Sequence, residues 1–186
     1  MCIRDSRRVT LGGVDLHSWV TNAAGFNFHN WYGFGKVDAD LAVAAAAIFD
    51  QALLGTQSTQ ERLAEFTTPV QIPNAEGRSA SINLTAGAGT LGIVEFIRLK
   101  IKFSASQAVA LNDIGITLTS PSGTTHSVLQ PFTNVSGQPS FYWAIGVAGF
   151  YGETIEGDWE VTIFDYSDDA ISPGTWDGFE LEVHYR

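Results

Sequence analysis

The sequence predicts a mainly β fold, an antiparallel β-sandwich or jelly roll preceded by a short helical piece, and three observations carry that expectation. From Phe66 to the C-terminus, apolar residues recur at every second position in seven short runs, the spacing of half-buried strands. Gly, Pro, Ser and Asn punctuate those runs, and none of them shows the 3.6-residue apolar period of an intervening helix. A single thiol, Cys2, can close no internal bridge, so the fold must rest on a hydrophobic core. A chain of 186 residues can bury about 70% of the surface its unfolded form exposes, enough for one sizeable core.

Taken in order, Met1–Ser6 carry charge without the apolar stretch of a secretory signal, which suggests a truncated or spuriously started reading frame. Residues 10–55 read as loop, turn and one helix. Asp38 is placed as its N-cap with Asp40 in the first turn. Leu41, Ala42, Ala45, Ile48, Phe49 and Ala52 fall at helical spacing, and Gly55 follows as a stop. A lone helix of about 15 residues is marginal in water, so its apolar stripe calls for a partner surface. Gln57–Glu65 is polar and turn-like, and residues 56–65 read as a linker between a first unit, 1–55, and a second, 66–186.

Strands are expected at Phe66–Ile72, Ala80–Leu84, Ile97–Phe103, Ile114–Leu118, Phe141–Val147, Trp159–Ile163 and Phe179–Tyr185. In the third, Ile97, Leu99, Ile101 and Phe103 point one way while Arg98, Lys100 and Lys102 form a cationic stripe on the other face. Such a stripe reads as a solvated face, with a docking surface as the alternative.

Twenty acids against ten Lys and Arg give a net charge of −10. That balance disfavours nucleic acid and anionic membranes as partners, since both reward clustered cations. No run approaches the roughly 18 apolar residues of a membrane helix.

Two segments resemble adjacent parts of one kind of enzyme. Trp19-Val20-Thr21-Asn22-Ala23-Ala24-Gly25, then Tyr32-Gly33-Phe34-Gly35-Lys36-Val37-Asp38-Ala39 with Ala42-Val43, is similar to the end of a subtilisin-like catalytic domain of the kexin and proprotein-convertase type. There, Gly33 and Gly35 would allow a tight turn around a buried Phe34. The second segment carries Asp113-Ile114-Gly115-Ile116-Thr117-Leu118-Thr119-Ser120-Pro121-Ser122-Gly123-Thr124, Tyr151-Gly152-Glu153, Gly157-Asp158-Trp159-Glu160-Val161-Thr162-Ile163-Phe164-Asp165 and Gly174-Thr175-Trp176. It resembles the P domain, or Homo B, that follows the catalytic domain in that family. The sequence departs from the family pattern at Tyr151, where Trp is usual, at Asn112, where Gly is usual, and at Asp158, where Thr is common. The resemblance implies a jelly-roll-like β-sandwich after a helical remnant of an α/β subtilisin-like domain. It also implies a secreted serine protease whose P domain stabilises and regulates a catalytic domain lying upstream, the expected partner.

A subtilisin-like triad needs Asp, His and Ser in separate motifs, with the nucleophile in a GTSMAxP-like setting. No such motif occurs in this sequence, and no residue is assigned a catalytic role. Ser127 beside His126 is not a substitute, because neighbours on a strand face opposite ways. The strongest site signal is acidic: ten of the twenty acids lie between Glu153 and Glu182. Asp165, Asp168, Asp169 and Asp177, with Asp113 as a further contributor, flank a loop that could wrap oxygen ligands around calcium. The competing reading is a solvated loop whose Asp side chains bond their own turn backbone. Related proteases commonly use calcium, whereas no Cys or His spacing suggests zinc.

Phe141-Tyr142-Trp143 presents at least one ring outward, while Trp159 and Trp176 are expected in the core. The alternative function is a free-standing secreted binding module for carbohydrate or protein, which an outward row of coplanar aromatics would favour. A stalk or attachment domain is a third reading. Asn83-Leu84-Thr85 and Asn134-Val135-Ser136 fit the glycosylation acceptor pattern, which is common by chance.

Overall fold

Ile97, Leu99, Ile101 and Phe103 on one strand and Trp159, Val161 and Ile163 on another all turn their side chains into a single core. In a computed structural model the described residues are 10–11, 14–15, 19–35, 38–50, 52, 55–72, 75–104, 113–131, 140–166 and 174–186. Short pairings come first: β1 (Thr10–Leu11) with β2 (Val14–Asp15), and β3 (Val20–Thr21) with β4 (Asn27–Phe28). The helix α1 (Ala39–Ala47) follows. Then come β5 (Ser58–Gln71), β6 (Gly77–Leu84), β7 (Val94–Ser104), β8 (Ile114–Thr119), β9 (Thr125–Leu129), β10 (Ser140–Val147), β11 (Gly157–Asp165) and β12 (Thr175–Tyr185).

The eight long strands make two antiparallel four-stranded sheets, ordered β10-β7-β12-β5 and β6-β11-β8-β9. Their inner faces meet in one core holding Trp159, Trp176, Phe150 and Phe179 with the Ile, Leu and Val side chains of β7, β8, β11 and β12. Each fully buried Val, Leu or Ile contributes roughly 1.5–3 kcal/mol before entropic costs. Both core tryptophans keep their indole N–H satisfied: Trp159 donates to Ile155 O and Trp176 to Gly178 O, each at 2.9 Å. This is the expected jelly-roll-like β-sandwich behind a short helix.

Three expectations need correction. Residues 58–65, read as a turn-like linker, form the first half of β5, whose partners on β12 run from Glu65 opposite Gly178 to Ser58 opposite Tyr185. β5 is an edge strand, so polar residues replace the alternation that a half-buried strand shows, and its Pro69 is tolerated there for the same reason. β9 adds a strand to the seven expected ranges: His126 and Ser127 read as strand neighbours, but Thr-His-Ser-Val-Leu lacks the apolar alternation that would mark its bounds. Phe34 is half exposed rather than buried; its ring packs edge-on against Phe26, Phe28 and Tyr151 and is open on its other side.

The Ser120–Thr124 turn joins β8 to β9. Gly123 takes φ +85°, which an L side chain rarely adopts, and its N–H donates to Ser120 O at 2.9 Å. In α1, Ala42 N–H donates to Asp38 O, after which the chain tightens through Ile48 N–H to Ala45 O. Val43, Ile48 and Phe49 are exposed. Part of the apolar stripe that called for a partner is thus uncovered.

Candidate functional site

Asn22, set between β3 and a tight turn, is the anchor of the segment 19–35 on the sandwich. The turn closes by Gly25 N–H to Asn22 O and Asn22 N–H to Phe26 O, both 2.9 Å. That leaves the Asn22 side chain free to work on both sides. Its Oδ1 accepts from Phe26 N–H at 2.9 Å. Its Nδ2 donates to Gly149 O at 3.0 Å and Tyr151 O at 2.9 Å, in the turn that precedes β11. The next residue continues the seam, where Ala23 N–H is shared between Glu153 Oε1 at 2.9 Å and Thr124 Oγ1 at 3.1 Å. Further along, Asn30 Nδ2 donates to Ser127 O at 3.2 Å.

Aromatic rings cover these polar contacts. Phe26 and Phe34 pack on Tyr151, Phe28 packs on His126, and His126 packs in turn on Phe150, which reaches Trp159 in the core. Beside them lies a groove of about 400 Å³, lined by Phe28, Asn30 and Trp31 from the segment and by residues of β9 and β10. The Tyr151 departure thus falls at the seam, where the ring supplies an apolar face to both phenylalanines.

His126, Glu153, Thr124 and Asn22 are all buried here. Burial pushes the His126 imidazole below its ordinary value of 6.5, against the opposing pull of the Gly149 backbone and the Glu153 carboxylate. His126 Nε2 and Glu153 Oε2 are buried without a hydrogen-bond partner. Ser127 faces away and donates to Leu129 O at 3.4 Å, so the two neighbours form no nucleophile–base pair.

The cationic stripe on the first sheet is neutralised rather than open. Arg98 pairs with Glu182 at 3.1 Å, Lys102 pairs with Glu65, and Lys100 is held by Glu180 and, at 3.4 Å, Glu182. Glu65 belongs to the stretch read as a linker. The hydrogen bond to Glu180 raises the Lys100 pKa well above 10.5, outweighing desolvation. Tyr142 is the outward ring of its triplet; its hydroxyl donates to Glu180 Oε2 at 2.9 Å and its face meets Lys102. The described part of this face offers no row of coplanar rings for a sugar.

Of the acidic candidates, Asp113, Asp165 and Asp177 are among the described residues, at or beside the ends of β8, β11 and β12. Asp165 is buried at the end of β11, opposite Ile114, and Tyr166 N–H donates to Asp113 O at 2.9 Å. Asp177 spends its Oδ1 on the hydroxyls of Ser104 at 3.0 Å and Thr175 at 3.4 Å. Asp168 and Asp169 lie outside the described residues. Carboxylate oxygens suit a hard cation in chemistry, but among the described residues no three His, Cys, Asp or Glu side chains converge on one point.

The sequence motifs contain the residues of the seam without marking them as such. Nothing local signals that Ala23 meets Thr124 and Glu153 across 101 and 130 positions, or that Asn22 reaches the Gly149 and Tyr151 carbonyls.

Fold and seam together define a β-sandwich module clasped by the end of a preceding segment. Residues 95–183 match the proprotein convertase P-domain family. Over 171 residues the chain is 28% identical to proprotein convertase subtilisin/kexin type 5 of Rattus norvegicus, covering 88% of this chain and 9% of that protein. It is 28% identical over 163 residues to the Aeromonas extracellular serine protease of Aeromonas sobria, covering 81% and 25%. The crystal structure of the Aeromonas sobria serine protease with its chaperone superposes with a TM-score of 0.77 at 20% identity, over 93% of this chain and 34% of that one. Residues 95–183 thus match the P-domain family, and the chain as a whole is similar to the C-terminal portion of P-domain-containing, subtilisin/kexin-like serine proteases. It spans less than a tenth of the convertase and about a quarter of the Aeromonas protease.

Proposed function

We propose that this chain is the C-terminal portion of a secreted subtilisin-like serine endopeptidase, in which the P domain stabilises and regulates a catalytic domain whose last segment is residues 1–55. The observation that carries the reading is the seam itself. The segment similar to the end of a catalytic domain is held by Asn22 and Ala23 on residues 149–153 of the sandwich. Its outer side, with Trp31, Tyr32, Phe34 and Ile48 exposed, offers apolar surface that a larger body would cover. A sandwich that binds only the folded protease raises its stability by mass action. The extracellular localisation is supported by the likeness to the Aeromonas extracellular protease.

Calcium belongs to the same proposal, held through Asp113, Asp165, Asp168, Asp169 and Asp177; the support is the run of ten acids between Glu153 and Glu182 in the sequence. The catalytic reading is tested by exchange: residues 19–186 replace the corresponding C-terminal part of the Aeromonas sobria protease. The exchanged enzyme is expected to be secreted and proteolytic. A secreted, folded and inactive product refutes the reading.

A further inference from the structure

The groove of about 400 Å³ beside the seam lies where two sheet edges meet. β9 is outermost in one sheet and β10 in the other, and the segment supplies the third wall. Trp143 pairs with Ile101 of β7 and so points to the core side. Being on the last strand of its sheet, it stays half-buried and lines the groove. Trp31 enters from the segment, in a turn closed by Gly33 N–H to His29 O at 2.7 Å. Its backbone N–H donates to Nδ1 of the buried His29 at 3.1 Å, so the turn is set before any ligand arrives, yet the residue is 63% exposed.

Polar groups stand beside the two indoles. Asn30 Nδ2 donates to Ser127 O at 3.2 Å, which orients the amide and leaves it one N–H and its oxygen. Ser127 donates to Leu129 O at 3.4 Å and keeps lone pairs to accept with. Gln130 adds a second amide to the lining. In a chain with a net charge of −10, none of the described lining residues is charged. An ionic ligand would find no counter-charge there, and an anion would be repelled by the chain as a whole. A purely apolar ligand would cover the Asn30 amide without pairing it. A proline-rich peptide suits aromatic grooves, but its prolines bring acceptors and no N–H, so the Asn30 oxygen would go unpaired.

We infer that this groove binds a neutral saccharide. A pyranose ring has faces of C–H groups, which pack on the negative faces of the Trp31 and Trp143 rings. Its hydroxyls each donate and accept, which matches the Asn30 amide, the Ser127 hydroxyl and the Gln130 amide. The inference goes beyond the proposed function and does not rest on it. Trp31 is also among the rings that a preceding body would approach, which places the site at the margin of that contact.

NMR titration of the full chain with cellohexaose, xylohexaose, maltohexaose and chitohexaose, each up to about 10 mM, tests the site. Hexagalacturonate serves as the charged counterpart and decaproline as the peptide one. At least one neutral hexaose is expected to shift the indole N–H signals of Trp31 and Trp143 and the amides of Gly146 and Val147, while both counterparts leave them in place. Trp31→Ala is expected to weaken binding at least about tenfold. Tyr142→Ala, which removes the exposed ring on the outward face of β10, is expected to leave it unchanged. No shift with any neutral hexaose, shifts elsewhere than the groove, or equal affinity in Trp31→Ala overturns the inference. Preference for decaproline or hexagalacturonate overturns it as well, the former in favour of a peptide groove. If Trp31→Ala unseats the segment, cross-relaxation between sugar ring protons and the two indoles in the unmodified chain decides, and its absence overturns the site. None of these results touches the protease reading, which the exchanged enzyme decides.

Discussion

Replacing Asn22 by Ala should detach the segment from the sandwich without unfolding the sandwich. The side chain makes three hydrogen bonds, two to the carbonyls of Gly149 and Tyr151 and one from the Phe26 amide. Asn22 is 4% exposed, so truncation strands those three backbone groups. A stranded buried group costs about 1–3 kcal/mol. The seam lies near solvent on its outer side, and water entering the gap brings the figure to the low end, about 3 kcal/mol for the three together. That corresponds to roughly a 150-fold rise in the opening constant of the segment. The best reporter is the Ala23 amide, whose own bonds to Glu153 and Thr124 the substitution does not remove. Its exchange should accelerate by about that factor at pH 7.5, while amides of β7 and β11 hold. A change of less than about threefold would show that the ring contacts carry the seam alone. Equal loss in the strands would show that segment and sandwich open as one unit. Either result refutes the reasoning.

Two further outcomes follow from charge. Burial alone would raise the carboxyl pKa values of Glu180 and Glu182, but hydrogen bonds and charge from Lys100 and its neighbours bring them below the ordinary 4.5. Their contribution to stability is therefore present above 4.5 and lost as pH falls below it. Lys100→Met should flatten the decline in urea midpoint between about pH 5 and pH 3, and an unchanged slope counts against the network. At calcium a hundredfold above Kd, one site adds about 2.7 kcal/mol, a rise in Tm of roughly 5–10 °C against excess chelator for a chain of this size. Coincident melting curves with and without calcium exclude a stabilising site.

The sandwich was legible wherever strands are buried on one face. Ile97 to Phe103 and Trp159 to Ile163 advertise themselves by alternation, and their side chains lie where that alternation puts them. Legibility failed at two of the four sheet edges. β6 and β10 are also outermost but keep enough apolar alternation to be read, whereas in the first half of β5 and in β9 wet side chains replace apolar ones, so Ser58–Glu65 looks like a linker and β9 gives no strand range of its own. The seam was legible only as two motifs. Asn22 and Gly149 lie 127 positions apart, and a bond from a side chain to a backbone carbonyl leaves no trace in the identity of the residue that supplies the carbonyl. Phe34 misled for a related reason. Its glycine-flanked setting implies burial, yet what would cover its open side is not among the residues packed around it.

The chemistry of the seam bears on what it can transmit. An apolar interface of the same size could slide, because dispersion and desolvation are non-directional. The Asn22 amide and the Ala23 N–H engage backbone carbonyls and a buried carboxylate. Those bonds weaken steeply away from their preferred distances and angles, and once stranded the groups are costly. Such an interface has one seated register and few partly seated ones. The aromatic chain from Phe28 through His126 and Phe150 to Trp159 ties that register to the core of the sandwich. A perturbation of the core near Trp159 should therefore reach the segment, and one on the outer face at Lys100 should not. Comparing Ala23 exchange in Trp159→Phe and Lys100→Met separates the two routes; equal effects would argue against the aromatic chain as the connection.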